Sequence, residues 1–393
     1  MKLASRLESI EPFYVMECAK AAAEIAASPA CDPARGGTSM IYLNIGEPDF
    51  TAPEAVVEAA ERCISLGRTQ YTQATGLPAL RERISRWYAQ HHGLDVPASR
   101  IVVTAGASAA LQLVCLALFE PGDEVLLPDP SYPCNRNFIA AAGAHARLLP
   151  SGAAQRFQLS AHAVAQAWGE RTKGVLLASP SNPTGTSIDP QEMARIVATV
   201  RERGGATLVD EIYLGLSYEE PFGHSALKLG EDVISINSFS KYFSMTGWRL
   251  GWVVLPSALV GAVEKLAQHL FICPSTVAQH AALACFEAES IAEYEARRHA
   301  FKARRDFIVP ALESIGLPVP VMPDGAFYVW ADVSAHSASS WDFSFDILRR
   351  AHVALTPGRD FGQAATQSFV RLSYASSMEH LQEAADRLRR ALA

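Results

Sequence analysis

The feature that most constrains the fold is a regular alternation of short apolar runs with helical stretches between residues 101 and 255. Helix patterns such as those at 107–118, 189–203 and 258–269 separate runs that are rich in Val, Ile and Leu. The strand candidates are 101–104, 124–128, 146–150, 174–178, 206–210, 233–237 and 250–255. Continuous apolar strands separated by helices are typical of a sheet buried on both faces. We therefore predict an α/β fold with a mostly parallel seven-stranded sheet covered by helices on both faces.

The two ends of the chain carry a second set of elements. Residues 12–27 have a helical pattern, and after the sheet a charged helix is followed by the strand-like segments GAFYVW and FVRLSYA. We expect these ends to meet in a smaller α/β domain. The predicted boundaries are 45–285 for the large domain, and 1–44 with 286–393 for the small domain and its N-terminal arm.

Composition excludes several classes of function. With 34 basic and 41 acidic residues, the chain has a formal charge of −7, which argues against a nucleic-acid partner. No apolar run reaches the roughly 18 residues of a membrane span, and charged residues interrupt any N-terminal signal. The seven cysteines form no CxxC pair, and no cluster has the spacing of a metal site. We expect a cytoplasmic protein with no membrane partner and no metal.

Ligands of parallel α/β sheets bind beyond the carboxyl ends of the strands, so the residues that follow each strand are the site candidates. A turn of small residues, Gly106, Ala107 and Ser108, starts a helix after the first strand. The free N–H groups and positive dipole end of a helix start suit a phosphate. Tyr132 follows the second strand, and Asn182 lies in a loop shaped by prolines and a glycine.

Two later strands end in charged residues. Asp210 closes one strand with Tyr213 three residues on, and Ser238 closes another, followed by Lys241 and Arg249. Taken singly, such residues more often cap a helix or face solvent. Together they supply what pyridoxal phosphate needs, because its aldehyde takes an amine, its ring nitrogen an acid and its phosphate a cation. The set therefore favours this cofactor.

Longer motifs extend this interpretation along nearly the whole chain. The matching segments are LNIGEPDF (43–50), YTQATGLPALRERI (71–84), TAGASAAL (104–111), DPSYP (129–133), SNPTGT (181–186), VDEIY (209–213), NSFSKYFSMTGWRLGW (237–252), DGAFYVW (324–330) and VRLSYA (370–375). With these segments, the chain resembles the class I pyridoxal-phosphate aminotransferases of the aspartate aminotransferase fold, fold type I. The SFSK…GWRLG segment and NPTG are the most specific of these motifs.

The resemblance implies a role for each matching residue near the cofactor ring. Lys241 would form the aldimine with pyridoxal phosphate and then move the proton between Cα and C4′. Asp210 would keep the ring nitrogen protonated. Tyr213 and Asn182 would hydrogen-bond the 3′ oxygen, and Tyr132 would stack on the ring.

The resemblance also implies how the phosphate and the substrates are held. The phosphate ligands would be Gly106, Ala107, Ser108, Ser238 and Arg249. Tyr71 would join them from the other subunit of a homodimer. Arg371 would clamp the substrate α-carboxylate with two parallel hydrogen bonds, assisted by Gly46 and Asn182. An amino acid and a 2-oxo acid would react in turn, by a ping-pong mechanism.

Other functions remain open at this stage. A lyase, such as a carbon–sulfur lyase, uses the same fold and cofactor chemistry. Ser238 and Lys241 also form an SxxK pattern, but the K[ST]G element of serine acyl-enzymes is missing. The fold also serves as the effector domain of some transcription regulators, yet the family match begins by residue 43 and leaves little room for a DNA-binding module.

The substrate side chain is predicted from the absence of a second cation. A dicarboxylate specialist needs one, and neither Ser108 nor the segment LFICPSTV supplies it. The N-terminal helix instead begins with three apolar residues, Phe13, Tyr14 and Val15. We therefore expect a neutral L-amino acid, aliphatic or aromatic. An aspartate/2-oxoglutarate type stays the alternative, with Arg136 and Arg35 as candidate cations.

Overall fold

The computed structural model describes residues 3–4, 7–8, 10 and 14–393. The strands are β1 (Ile41–Tyr42), β2 (Ile101–Thr104), β3 (Glu124–Asp129), β4 (His145–Pro150), β5 (Thr172–Ala178), β6 (Ala206–Asp210), β7 (Ile234–Ser238), β8 (Gly251–Val254), β9 (Tyr328–Asp332), β10 (Val353–Ala354), β11 (Thr356–Pro357) and β12 (Phe369–Ser373). The α-helices are α1 (Tyr14–Ala26), α2 (Glu54–Ser65), α3 (Pro78–Trp87), α4 (Ala107–Leu118), α5 (Pro133–Ala141), α6 (Ala161–Ala167), α7 (Pro190–Glu202), α8 (Ser257–Leu270), α9 (Thr276–Ala282), α10 (Ala288–Glu313), α11 (Ser340–Ala351) and α12 (Met378–Leu392).

The central sheet has the seven predicted strands in the spatial order β2, β8, β7, β6, β5, β3 and β4. Strand β8 runs antiparallel to both of its neighbours, and the remaining pairs are parallel. Every residue of β2, β7 and β8 is buried, as expected for strands covered on two faces. The predicted mostly parallel seven-stranded α/β architecture is confirmed.

Alternation along the strands divides the apolar side chains between two cores. Leu176 of β5 belongs to a buried cluster with Leu111 of α4 and Val263 of α8. Its neighbour Leu177 belongs to a second cluster, with Ile196 of α7. Because successive strand residues point to opposite faces, these clusters are the two helix-covered sides of the sheet.

Two further sheets lie outside the central one, and the first of them joins the two ends of the chain. Strand β1 pairs in parallel with β10, with Ile41 opposite Val353. Strands β11, β12 and β9 form an antiparallel sheet in that order. Helix α1 packs beside them, where Ala22 shares a small buried cluster with Leu348 and Ala354. The predicted helix at 12–27 is thus seen from Tyr14, its first two residues lying outside the described part. The domain boundaries at 44/45 and 285/286 stay a prediction.

Helix α10, with 26 residues, is long enough to cross a bilayer. Its sequence AESIAEYEARRHAFKARRDFIVPALE carries charged side chains on most of its turns. Throughout residues 14–393 and the short described stretches before them, no helix combines the length and the apolar character of a membrane span.

Candidate active site

A cavity of about 320 Å³ opens where β5, β6 and β7 end, and their last residues, Ala178, Asp210 and Ser238, line it. The sequence-predicted residues that line this cleft are Gly46, Ala107, Ser108, Tyr132, Asn182, Asp210, Tyr213, Ser238, Lys241, Arg249 and Arg371. Residues more than 300 positions apart are thereby brought to one place. The cleft lies at the carboxyl edge of the sheet, where parallel α/β folds bind their ligands.

Lys241 is half-buried in this cleft, and its Nζ donates a hydrogen bond to the main-chain oxygen of Gly46 at 2.6 Å. Burial lowers the pKa of Lys241 to about 8. The positive charges of Arg371 and Arg249 lower this pKa further, while the carboxylates of Glu47 and Asp210 oppose the shift. Near neutral pH, a larger fraction of this amine is therefore neutral and nucleophilic than in an ordinary lysine.

Asp210 is buried at the end of β6, where its Oδ1 accepts the N–H of Ile212 at 3.2 Å. Burial raises the pKa of Asp210 to about 7, against the effect of the Ile212 amide. The neighbouring Glu211 raises this pKa, and Lys241 lowers it. A cationic N–H partner, such as a protonated ring nitrogen, would stabilise the ionised form of this buried carboxyl, which has a raised pKa.

Arg371 projects from β12 and is 3% exposed. Its Nη1 donates to Oδ1 of Asn182 at 2.9 Å, and its Nη2 donates to the main-chain oxygen of Asn44 at 2.7 Å. The guanidinium lies over the ring of Tyr328, 4.6 Å from its centre. Its Nε is buried and has no hydrogen-bond partner among the described residues. This donor is suited to an anionic ligand entering the cleft.

An anion cradle lies at the start of α4. Gly106 precedes the helix with φ +84°, a backbone conformation that favours glycine. A Cβ at this position would lie 2.7 Å from Nη2 of Arg249, so glycine also allows the guanidinium to approach the turn. Gly106 itself does not line the cleft, but it brings Arg249 against the helix start. Helix N–H groups and a cation together favour a phosphate here.

Tyr71 does not enter this cleft. Its side chain is 80% exposed, and its loop is attached to α9 by hydrogen bonds from Thr276 to Gln70 and from Gln279 to Thr72. Within the described part of a single chain, Tyr71 is therefore not among the residues that line the cleft.

Tyr328 was missed by the sequence interpretation. Its Oη lies 2.8 Å from Oη of Tyr213, and a Cβ on Gly46 would lie 2.5 Å from the same atom. The Tyr328 hydroxyl therefore hydrogen-bonds the Tyr213 hydroxyl and lies against the main chain of Gly46. The motif GAFYVW contains this residue, but only the pairing of β9 with β12 shows that it reaches the cleft.

The start of α1 contributes an apolar wall. Val15 lines the cleft as predicted, joined by Met16 and Ala19, which the sequence interpretation did not name. Tyr14 instead packs edge-on against Trp341, with ring centres 6.0 Å apart. Phe13 lies outside the described residues.

The two arginines proposed as extra cations lie elsewhere. Arg35 is largely exposed and pairs with Asp32 at 3.3 Å. Arg136 is half-buried on α5, and its Nη2 donates to the main-chain oxygen of Asp360 at 3.1 Å. Neither residue lines the cleft.

Comparison with known proteins assigns this arrangement to a family. The sequence model described as aminotransferase class I and II matches residues 38–388. The chain belongs to this family. The resemblance drawn from the motifs is confirmed, and the enzyme is an aminotransferase.

Among residues 14–393 and the short stretches before them, no group of three or more His, Cys, Asp or Glu side chains could hold a metal ion.

Individual relatives cover almost the entire chain. The valine–pyruvate aminotransferase of Mycobacterium tuberculosis is 37% identical over 380 residues, 96% of each chain. The aspartate aminotransferase of Pyrococcus horikoshii is 35% identical and is matched over 90% of each chain. The crystal structure of Thermus thermophilus aspartate aminotransferase with maleate has a TM-score of 0.91 at 32% identity, over the full length of both chains. The aspartate aminotransferase fold is thereby confirmed.

Proposed function

We propose that this aminotransferase moves the amino group of a neutral L-amino acid to a 2-oxo acid, with pyridoxal phosphate attached to Lys241. The observation that carries the proposal is one cleft holding a lysine amine of lowered pKa, a buried carboxyl and an arginine with a free donor. The three groups are Lys241, Asp210 and Arg371.

The donor set fits pyridoxal phosphate group by group. Lys241 would take the aldehyde, Asp210 the ring nitrogen, and Tyr213 with Asn182 the 3′ oxygen. Tyr132 would stack on the ring. The residues that would hold the phosphate are Gly106, Ala107, Ser108, Ser238 and Arg249. When bound, the cofactor supplies an electron sink for the carbanion that forms at Cα of the substrate.

The chain's own residues perform the proton transfer and the positioning. Once the substrate amine has displaced Lys241 from the cofactor aldehyde, the freed lysine amine would accept the proton from the substrate Cα and deliver it to C4′, the former aldehyde carbon. Arg371 fixes the α-carboxylate through parallel N–H bonds, so that the Cα–H bond faces this base. Because the cleft has one such clamp, the donor and the acceptor must occupy it in turn, which favours a ping-pong mechanism.

The lining of the cleft supports a neutral side chain. Its described cations are Lys241, Arg249 and Arg371, and each is already assigned to the cofactor or to the α-carboxylate. The wall beyond them is apolar, with Val15, Met16, Ala19, Leu111 and Phe138. The name of the Mycobacterium relative, a valine–pyruvate aminotransferase, agrees with this preference.

A panel of amino donors at a fixed 2-oxo acid tests the substrate class. We expect valine, methionine and phenylalanine to exceed aspartate in kcat/KM. A strong preference for aspartate would support the alternative activity, that of the relatives named aspartate aminotransferases. Release of ammonia or a thiol without formation of a new amino acid would instead indicate a lyase.

A homodimer would complete the site. Tyr71, Leu270 and Ile272 are all exposed, and the bond from Thr276 to Gln70 places the Tyr71 loop at the start of α9, a few residues along the chain from Ile272. Burial of these side chains against a second copy would remove apolar surface from water. We infer that Tyr71 then reaches the phosphate cradle of the partner.

The cysteines bear on where the enzyme works. All seven are free thiols, and five of them are buried. Unpaired thiols persist in reducing compartments, so we place the enzyme in the cytoplasm.

A further inference from the structure

The start of α1 is hydrogen-bonded to a buried carboxylate from the other end of the chain. Asp360 follows β11 and is 1% exposed. Its Oδ1 accepts the N–H of Tyr14, the first described residue of α1, at 2.9 Å. An aspartate that accepts a free amide at a helix start stabilises that helix end, here from a position 346 residues away.

The neighbouring residue holds the same helix start by a different contact. The guanidinium of Arg359 lies 4.2 Å from the ring centre of Tyr14 and 4.6 Å from that of Trp341. Cation–π contacts with two rings fix the orientation of Tyr14. Two consecutive residues therefore hold Tyr14: Arg359 contacts its ring, and Asp360 accepts its backbone N–H.

Beyond its first turn, α1 is held mainly by Ala22, which packs with Leu348 and Ala354. Only Cys18 and Ala22 are buried along its length, and the side chain of Met16 is 63% exposed. Yet Val15, Met16 and Ala19 form the apolar wall of the cleft. The position of this wall depends on how the first turn of α1 is held.

We propose that Asp360 and Arg359 are positioning residues for substrate selection: by holding the start of α1, they set the apolar wall that a substrate side chain meets. The inference rests on the proposed function, because the wall matters only if an amino acid occupies the cleft. Neither residue touches the reacting atoms.

The groups around Asp360 determine whether its carboxyl is charged. Charged and titratable groups face it from several elements: Arg136 and Cys134 on α5, Arg371 on β12, Cys18 on α1 and Arg359 in its own turn. Burial raises the pKa of Asp360 to about 6, although the amides of Tyr14 and Val15 and the two facing arginines lower it. Burial is the largest of these effects and favours the neutral acid, whose carbonyl oxygen can still accept the Tyr14 amide, so we expect α1 to stay attached as pH falls through about 6.

The test compares Asp360→Ala with a matched helix-capping aspartate. Asp189 accepts the amides of Gln191 and Glu192 at the start of α7, and it does not line the cleft. In the holoenzyme, D360A should increase hydrogen exchange at the start of α1. It should also raise KM about tenfold for the best large apolar donor, a change of about 1.4 kcal/mol, and less than about twofold for alanine. D189A should change neither quantity.

The conservative variant separates charge from geometry. Asp360→Asn keeps an acceptor for the Tyr14 amide but does not ionise. We therefore expect it to keep most of the wild-type donor preference on both sides of pH 6, because an amide oxygen can accept the same N–H. Arg359→Met removes the stacked cation and leaves the carboxylate, so it tests the same positioning if D360A does not fold.

Two results would overturn the proposal. Unchanged exchange of α1 in D360A would show that Asp360 does not hold the helix. Increased exchange with equal KM changes for alanine and for the large donor would show that the helix does not select substrates. If the wild-type enzyme transfers no amino group, the proposed function fails instead, and the exchange result still reports on the attachment.

Discussion

Arg371 donates a hydrogen bond of 2.9 Å from Nη1 to Oδ1 of Asn182, although 189 positions separate them. The bond joins β12 to the loop after β5. With Nη2 bonded to the main-chain oxygen of Asn44, the guanidinium is held at two points, while its Nε has no described partner. An arginine fixed in this way is preorganised, so an entering carboxylate does not have to order it.

Loss of this clamp should affect the substrate more than the cofactor. Arg371→Ala should raise KM for the amino acid about a hundredfold, because parallel charge-assisted bonds are lost. The Kd of pyridoxal phosphate, from absorbance titration, should change far less. Arg371→Lys keeps the charge without the planar guanidinium, so its KM should lie between those of the wild type and of Arg371→Ala. Equal losses of substrate and cofactor affinity would show that Arg371 is structural.

The lowered pKa of Lys241 predicts how cofactor attachment depends on pH. In the apoenzyme the amine is protonated well below pH 8, and only the neutral amine attacks an aldehyde. The rate of attachment, followed by absorbance after mixing, should rise with pH and level off above about 8. Arg371→Met removes a nearby positive charge and should move this inflection upward. A wild-type rate still rising near 10.5 would mean an ordinary lysine.

Replacement of Asp210 should impair turnover with little change in cofactor content. In Asp210→Asn, the amide cannot hold a proton on the ring nitrogen, and we expect kcat to fall by a factor on the order of 10² to 10⁴. Asp210→Glu keeps the carboxylate and should retain more activity. Cofactor occupancy, measured after release in alkali, serves as the control. A kcat near the wild-type value in Asp210→Asn would contradict the assigned role.

Composite sites in a homodimer predict complementation between two damaged variants. A dimer of one Lys241→Ala subunit and one Tyr71→Ala subunit has one cleft with both an intact lysine and an intact tyrosine. Mixed dimers should therefore exceed the activity expected from each parent alone. Mixtures that show only the summed activity of the parents would place Tyr71 outside the partner's site.

Local pattern was enough to predict the sheet and much of the cleft. Asp210 and Lys241 could be named because strand ends share one edge of the sheet, a rule that needs no knowledge of distant contacts. The direction of β8 could not be predicted, since a strand buried on both faces has the same apolar sequence either way. Tyr328 and Asp360 were missed for another reason. Tyr328 reaches the cleft on β9, which pairs with β12, and Asp360 bonds to α1 from the other end of the chain. Hydropathy encodes neither contact.

The central claim is that Lys241 carries the cofactor, and the chain has only seven lysines among which to decide. Borohydride reduction of the holoenzyme fixes a lysine-bound cofactor permanently, and peptide mass spectrometry then locates the modified residue. We predict modification in the peptide containing Lys241 and its loss in Lys241→Ala, with turnover reduced by a factor of at least about 10⁴. Stoichiometric modification of any other lysine, or near-wild-type transamination by Lys241→Ala, would contradict the account.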